Sequence, residues 1–262
     1  MKIPVFGLDG SRKSEISAVK AFSEPVRPDL IKRSVLAEQS LRRQAYGADP
    51  MAGKRTSAHY HGRRGIRNSM MNREMARMKR IHSTGHLYMR ARFVPQATKG
   101  RKAHPPKAEK VWRRKINAKE WDKAFMSALA ATADGKLVIE RGHITEGTKH
   151  IPIVVDDKLQ EIKRNKDVSA LLVKLGLERE MERTRVKKVR AGKGTARNRK
   201  YKRKTGPLII VSEDKGIAKA GRNIAGVDVV TVNDLTVELL APGTQPGRLC
   251  IWSQSALQGL EK

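Results

Sequence analysis

The sequence predicts an α/β fold, a Rossmann-like domain of three layers with a mainly parallel sheet, carrying a long basic extended loop. The order of apolar runs is the first reason. In the last third, residues 207–211, 227–232 and 248–252 are short apolar segments separated by helical stretches at 214–220 and 234–240. That β-α-β-α-β order favours parallel strands with helices packed on their faces. The partition of charge is the second. Of the 56 Lys and Arg in 262 residues, 19 lie in 51–115 beside 2 acids, and 12 lie in 183–204 beside none. The other 175 residues hold 25 bases and 24 acids. Residues 1–50 and 116–262 therefore read as one near-neutral globular domain, with 51–115 inserted in it and 183–204 as a second basic strip.

The elements follow in order. Residues 2–8 read as an edge strand, and 29–46 repeat apolar positions at helical spacing (Leu30, Val35, Leu36, Leu41, Ala45) until Gly47. After the basic insertion, Asn117 with Glu120 three residues on resembles a capping box, and Trp121, Phe125, Leu129 and Thr132 mark one helical face. Residues 136–140 and the β-branched run 151–155 read as strands, and 159–164 and 168–175 as helices. Asp167 would cap the second of these and Gly176 end it. Residues 253–260 close the chain as a terminal helix, and no repeat of fixed period appears.

Several function classes lose support at the residue level, and no catalytic residue, cofactor or metal is assigned. The sole Gly-x-Gly, Gly192-Lys193-Gly194, sits inside a basic run with no apolar strand before it, so it reads as a turn rather than a nucleotide loop. Asp156-Asp157 reads as a strand-end turn and helix cap. His59 with His61, and His82 with His86, have spacings a metal could use. The segment has no cysteine, and Glu74 and Glu109 are its only acids, so the histidines read instead as stacking and hydrogen-bonding groups. Six of the nine methionines fall in the same segment; crowded by cations, they read as fillers of a partner surface rather than as a core. The lone Cys250 permits no intrachain disulfide. No apolar run approaches the ~18 residues of a membrane span. No secretory signal pattern opens the chain, so a cytoplasmic location without a membrane partner is expected.

The basic segments imply a dense polyanion, because each phosphate neutralised releases counterions. In the insertion, Arg outnumbers Lys by 12 to 7, which favours guanidinium groups forking phosphates and stacking on bases of structured RNA. The candidates there are Lys54 and Arg55, then Arg63, Arg64 and Arg67, then Arg73, Arg77, Lys79 and Arg80. Arg90, Arg92, Lys99, Arg101, Lys102, Arg113 and Arg114 complete that set. In the second strip they are Lys187, Lys188, Arg190 and Lys193, followed by Arg197, Arg199, Lys200, Lys202, Arg203 and Lys204. A segment of this length and charge is expected to be unstructured alone and to order on a large, permanent interface.

Several strings carry a family resemblance: PMAGKRTSA at 50–58, FVPQATKGRKAHPPKAEK at 93–110, SALAATAD at 127–134, AGKGTARNRKYKRKTGPLIIV at 191–211 and GRLCIWSQSAL at 247–257. Together they resemble the archaeal branch of the L-four family of large ribosomal subunit proteins over nearly the whole chain. The chain also ends without the long C-terminal extension of eukaryotic members, which agrees with an archaeal source. The resemblance implies a structural constituent of the large subunit, in which the α/β domain sits on the exterior and the insertion threads ribosomal RNA to line the peptide exit tunnel. Its implied partners are that RNA, neighbouring ribosomal proteins and the nascent polypeptide. Carried over by position, the tip falls within 60–80, with Tyr60, His61, Arg63, Arg64, Arg67, Met70 and Met71 as tunnel-lining candidates. The chain departs from the family at the tip, where His59-Tyr60-His61-Gly62-Arg63-Arg64-Gly65-Ile66-Arg67 replaces a tryptophan-containing run and the Met/Arg-rich stretch 70–81 leaves room for a short helix. A free RNA-binding regulator and an RNA-modifying enzyme remain the alternatives.

Overall fold

In the computed structural model, which describes residues 2–260, the chain begins with strands β1 (Lys2–Phe6) and β2 (Arg12–Ser17), then helices α1 (Pro28–Leu41), α2 (Ala118–Ala133) and α3 (Gly135–Glu140). Strand β3 (Ile153–Val155) leads to α4 (Asn165–Lys174) and α5 (Glu178–Arg185), and the short strands β4 (Lys188–Val189) and β5 (Tyr201–Lys202) follow. The last third runs β6 (Leu208–Val211), α6 (Ile217–Gly221), β7 (Asp228–Thr231), α7 (Val237–Leu240), β8 (Cys250–Ser253) and α8 (Gln254–Gly259). The chain divides into two compact units: a body made of the residues up to 42 and from 113 onward, and the segment Arg43–Trp112.

The body is a mixed α/β structure around a six-stranded sheet in the order β2-β1-β3-β8-β6-β7. Within this sheet only the β1–β2 hairpin is antiparallel; Val5 pairs with Val154, Ile153 with Ile251, and Ile209 with both Ile251 and Val229 in parallel register. The last strand in sequence, β8, thus inserts between β3 and β6. Because side chains alternate along a strand, the sheet feeds two cores. Ile3, Val5, Val154, Leu208, Ile210, Cys250 and Trp252 pack with Ile31 and Val35 of α1, Ala128 and Leu129 of α2, Val237 and Leu240 of α7, and Ala256 and Leu257 of α8. Phe6, Ile153, Val155, Ile209, Val211 and Ile251 pack with Val138 of α3, Val168, Leu171 and Leu172 of α4, and Ile217 and Ala220 of α6. Each large apolar side chain among them contributes about 1.5–3 kcal/mol by leaving water. Trp252 is fully buried with Phe22 edge-on at 6.3 Å, and burial pushes the Cys250 thiol pKa up to about 12.

Several local expectations need correction. Residues 136–140 form α3 rather than a strand. The Asp134 carboxylate accepts the Lys136 N–H at 2.9 Å and caps a turn of helix, and of the β-branched pair only Val138 reaches the core while Ile139 is 59% exposed. A cap and one apolar anchor outweigh the strand propensity of this run. Strand β2 escaped notice because Arg-Lys-Ser-Glu-Ile-Ser has no apolar alternation and lies at the exposed edge. Helix α1 stops at Leu41 rather than near Tyr46, where no buried position remains to reward it. Asn117 sits at the start of α2 without a side-chain cap, and Glu120 instead pairs with Arg33. Asp167 lies inside the first turn of α4 rather than at its cap, where its charge meets the positive end of the helix dipole favourably.

The end of α4 follows the sequence reading closely. Gly176 takes a left-handed φ of 80°, its N–H donates to the Val173 carbonyl and the Leu177 N–H donates to Leu172, while Leu172 and Leu177 meet in the core. These bonds satisfy carbonyls that the helix leaves open. A Cβ on Gly176 would also lie 1.9 Å from the Gly147 carbonyl oxygen. The substitution Gly176→Ala is therefore expected to destabilise the body by more than the ~1–2 kcal/mol of the left-handed conformation alone, seen as a lower denaturant midpoint at unchanged m-value.

Candidate nucleic-acid interface

Strands β4 and β5 pair antiparallel, Lys188 opposite Lys202 and Val189 opposite Tyr201, and present the second basic strip as a hairpin. Gly192 and Asn198 adopt left-handed φ in its loop, so Gly192-Lys193-Gly194 is a hairpin turn. Lys187, Lys188, Lys193, Arg197, Arg199, Lys200, Lys202, Arg203 and Lys204 are exposed. Arg190 is not spare: its guanidinium donates to the Arg199 and Tyr201 carbonyls at 3.0 and 3.4 Å and braces the hairpin. Half-exposed Tyr201 offers a ring face between Lys187 and Lys200, whose ammonium groups lie 5.5 and 5.6 Å from its centroid. An aromatic face among cations is suited to a base with its phosphate.

Beneath the hairpin opens a cleft of about 700 Å³ lined by Arg141, Arg183, Lys188, Lys202, Arg203 and Lys204, with His143 and the loop at 242–245; among the described residues no carboxylate lines it. Its wall is held by Glu180, which is fully buried. The Glu180 carboxylate accepts from Arg183 Nε at 2.7 Å and Nη2 at 2.6 Å, from His143 Nδ1 at 2.7 Å and from the Ile144 N–H at 3.0 Å. Arg183 also donates to the Thr205 carbonyl at 2.7 Å, tying α5 to the chain leaving β5. Burial works to raise the Glu180 pKa, but Arg183, His143 and the amide outweigh it and hold it below the usual carboxylate value. Burial dominates at His143 and keeps its pKa low despite the carboxylate. The pair at neutral pH is therefore a carboxylate and a neutral imidazole. Arg141 donates to the Pro242 carbonyl at 2.8 Å and to that of Gln245. Burial, then repulsion by Arg248, lowers its pKa to about 10, which leaves it charged. Sequence reading had Arg183 only as the start of the second basic strip and passed over Arg141, His143 and Glu180, because nothing in their spacing links residue 141 to residue 183.

The Arg43–Trp112 unit is built from turns. At its neck Tyr46 stacks on Trp112 at 5.3 Å, with Arg43 and Lys110 over the indole at 4.0 and 4.5 Å, and the Ala48 N–H reaches the Pro106 carbonyl. Farther along, Arg80 bridges both His59 and Ala91. Its guanidinium is buried and donates to the Met89 and Ala76 carbonyls at 2.8 and 2.9 Å, so Arg80 is an internal clamp rather than a free phosphate ligand. Lys54, Arg63, Arg64, Arg67, Arg73, Arg77, Arg90, Lys99 and Lys102 lie in this unit and all are exposed, as are Arg113 and Arg114 in the body. Arg55 is exposed but paired with Asp49, Lys79 lies 4.3 Å over the Phe93 ring, and Arg92 and Arg101 are half-buried, Arg92 donating to Thr98.

The tunnel-lining set divides in the same way. Tyr60, Arg63, Arg64 and Arg67 are exposed, His61 and Met71 are half-buried, and Met70 is 1% exposed. Met70, Ile81 and Met89 are withdrawn from solvent, against the expectation that the cations forbid buried methionines; the buried Arg80 guanidinium keeps its charge, with its two terminal nitrogens donating to backbone carbonyls. Residues 70–81 form turns and no helix. The histidines regroup: His82 joins His59 and His61, with ring centroids 4.4 to 4.8 Å apart, and His86 stays outside. Burial lowers the His82 pKa, and His59, His61 and Arg73 add repulsion.

At two of the strand ends where an α/β enzyme would bind a cofactor, the chain supplies its own carboxylate to the helix that follows. Asp157 accepts the Ser255 N–H at 2.8 Å and its hydroxyl at 2.7 Å at the start of α8, and Asp214 accepts the Gly216 and Ala218 N–H groups at the start of α6. Carboxylates thus occupy the amides that would cradle a phosphate. Asp156 pairs with Lys13 at 2.6 Å.

The Glu180 network carries a pH signature. Both of its titrating groups have lowered folded pKa values, so each contributes stability that is complete above its unfolded pKa and fades as pH falls. For His143 that loss starts below about 6.5, and for Glu180 below about 4.5. Thermal melts should show the wild type losing stability from pH 7 to pH 5, with a shallower dependence in His143→Gln. Glu180→Ala, which strands a buried guanidinium, should cost about 3–5 kcal/mol at pH 7.

Comparison with known proteins adds the family. Residues 17–262 match the family described as ribosomal protein L4/L1. The large ribosomal subunit protein uL4 of Nanoarchaeum equitans is 47% identical over 266 residues, covering 100% of this chain and 98% of that relative. The uL4 proteins of Archaeoglobus fulgidus and Methanosphaera stadtmanae are 45% and 43% identical, each over 99% of this chain and over 98% and 96% of their own lengths. By these matches the chain belongs to the ribosomal protein L4/L1 family, among its archaeal members, as a structural protein and not an enzyme.

Proposed function

We propose that this chain is built into the large ribosomal subunit in the cytoplasm, where residues 183–204 and 51–115 bind ribosomal RNA and the tip near 60–80 lines the polypeptide exit tunnel. The observation that carries the reading is the cleft below the β4–β5 hairpin: six cations with no carboxylate among them, held by a buried network, make a site for a polyphosphate backbone. On this reading the domain of 1–50 and 116–262 is a Rossmann-like three-layer platform and 51–115 is its threading loop. Neighbouring ribosomal proteins and the nascent chain are the remaining partners. The names of the archaeal relatives support the assembly.

Neutralising Lys200, Lys202, Arg203 and Lys204 together is expected to weaken binding to large-subunit RNA and to flatten its salt dependence by roughly 0.7–0.9 log units for each phosphate no longer neutralised. Circular dichroism should report an unchanged fold, since none of the four side chains enters either core. An unaltered salt slope would remove the strip from the interface.

Deleting 60–80 tests the tunnel. Both cores of the body are free of residues from 43–112, so the variant should still fold and sediment with salt-washed large subunits. Its ribosomes should lack density at the tunnel wall and respond differently to stalling peptides, because Arg63, Arg64, Arg67, Arg73 and Arg77 leave a narrow channel. Wild-type wall density with unaltered stalling would place the tip elsewhere.

A further inference from the structure

We propose that His59, His61 and His82 form a binding site for one zinc-class divalent transition-metal ion, held by three imidazoles with the fourth position open to water or another oxygen ligand. One ring nitrogen from each histidine lies within 4.8 Å of the others. The outer nitrogens are already engaged. His59 Nδ1 is 2.9 Å from the Ser57 carbonyl, His61 Nδ1 is 3.1 Å from that of Arg67, and His82 Nε2 is 3.3 Å from that of His59. A carbonyl only accepts, so each of these nitrogens carries the hydrogen. The lone pairs are thereby left on His59 Nε2, His61 Nε2 and His82 Nδ1.

This is the outer-shell arrangement that metal-bound histidines adopt, in which a backbone carbonyl fixes the tautomer and orients the ring. A separate observation points the same way: His82 Nδ1 is a buried polar atom without a hydrogen-bond partner among the described residues. A metal lone-pair acceptor would satisfy it. The ligand type selects the metal, since imidazole without carboxylate suits zinc and its neighbours and is a poor match for calcium or magnesium. Nitrogens at about 2.0–2.1 Å from a tetrahedral ion stand about 3.3 Å apart, so the three rings need to draw together by side-chain rotation without moving the backbone bridge at His59 and Arg80.

The site would act as a staple. His59 and His61 lie on one arm of the segment and His82 on the other, so a bound ion closes the loop of residues 62–81 that is otherwise held by few hydrogen bonds. Loop closure of this kind removes freedom from the unfolded segment and orders it before any partner arrives. The proposal stands independently of where the tip resides in a ribosome.

Titration of cobalt(II) into the tag-free full-length protein, stripped of RNA and metal, provides the test. One equivalent should saturate at micromolar concentration with the visible bands of four-coordinate cobalt, and zinc should displace it. His61→Phe and His82→Phe keep ring volume but delete the nitrogens; each should weaken binding by about tenfold or more, while His86→Phe leaves it unchanged. Zinc should also protect residues 62–81 from proteolysis in the wild type and in His86→Phe only. Absence of one-equivalent binding by the wild type, or equal affinity in His61→Phe and His82→Phe to that of the wild type, overturns the site; the wild-type result does not depend on how the variants fold.

Discussion

A parallel sheet buried on both faces has no surface on which to carry charge, and that constraint shapes the rest of this chain. Every residue of β3, β6 and β8 is withdrawn from water, so these strands can hold only apolar or small polar side chains. The one guanidinium at their border, Arg248, is admitted because it donates to the Gly206 and Leu239 carbonyls and pairs with Asp228. A protein with a net charge of +30 must then place its surplus elsewhere. It does so in a hairpin that leaves the body after α5 and in a segment whose neck is fastened by stacking on Trp112.

Those cations are not equivalent, and counting them overstates what a polyanion can reach. Arg80, Arg183 and Arg190 spend their donors on carbonyls or on Glu180, and so build the scaffold that aims the others. The side chains of the lysines at 188, 200, 202 and 204 make no such contacts among the described residues and are exposed. This division follows from chemistry: a planar fork with five donors can satisfy several carbonyls at once, whereas an ammonium stays hydrated on its stem.

The sequence made legible what short-range rules determine. Gly176 and the mainly parallel strands of the last third depend on local pattern, and each appears in the structure where the pattern put it. What escaped depends on distance along the chain. His82 faces His59 and His61, not its helical-spacing neighbour His86, because the arms of 43–112 turn back at Arg80 and no helix forms there. Met70 is buried although no apolar periodicity marks it. Residues 136–140 have strand composition, yet Asp134 and a single buried valine make them a helix. The acid-free cleft joins residues from α5, the hairpin, the turn after α3 and the loop at 242–245, and no spacing in one dimension announces it.

The position of Cys250 gives this fold a built-in reporter. It is the only thiol in the chain, lies in the central strand between β3 and β6, and has 1% of its surface exposed with its proton held tightly by burial. Its side chain stands out of the sheet plane into the core beneath α1, α2, α7 and α8, so an alkylating reagent reaches the thiolate only after that helical layer has lifted from the sheet. Fraying of the edge hairpin or motion of the basic segments leaves it silent. The rate of covalent labelling at this single atom therefore counts openings of the core on that face of the sheet, and separates them from looser movements of a strongly charged protein.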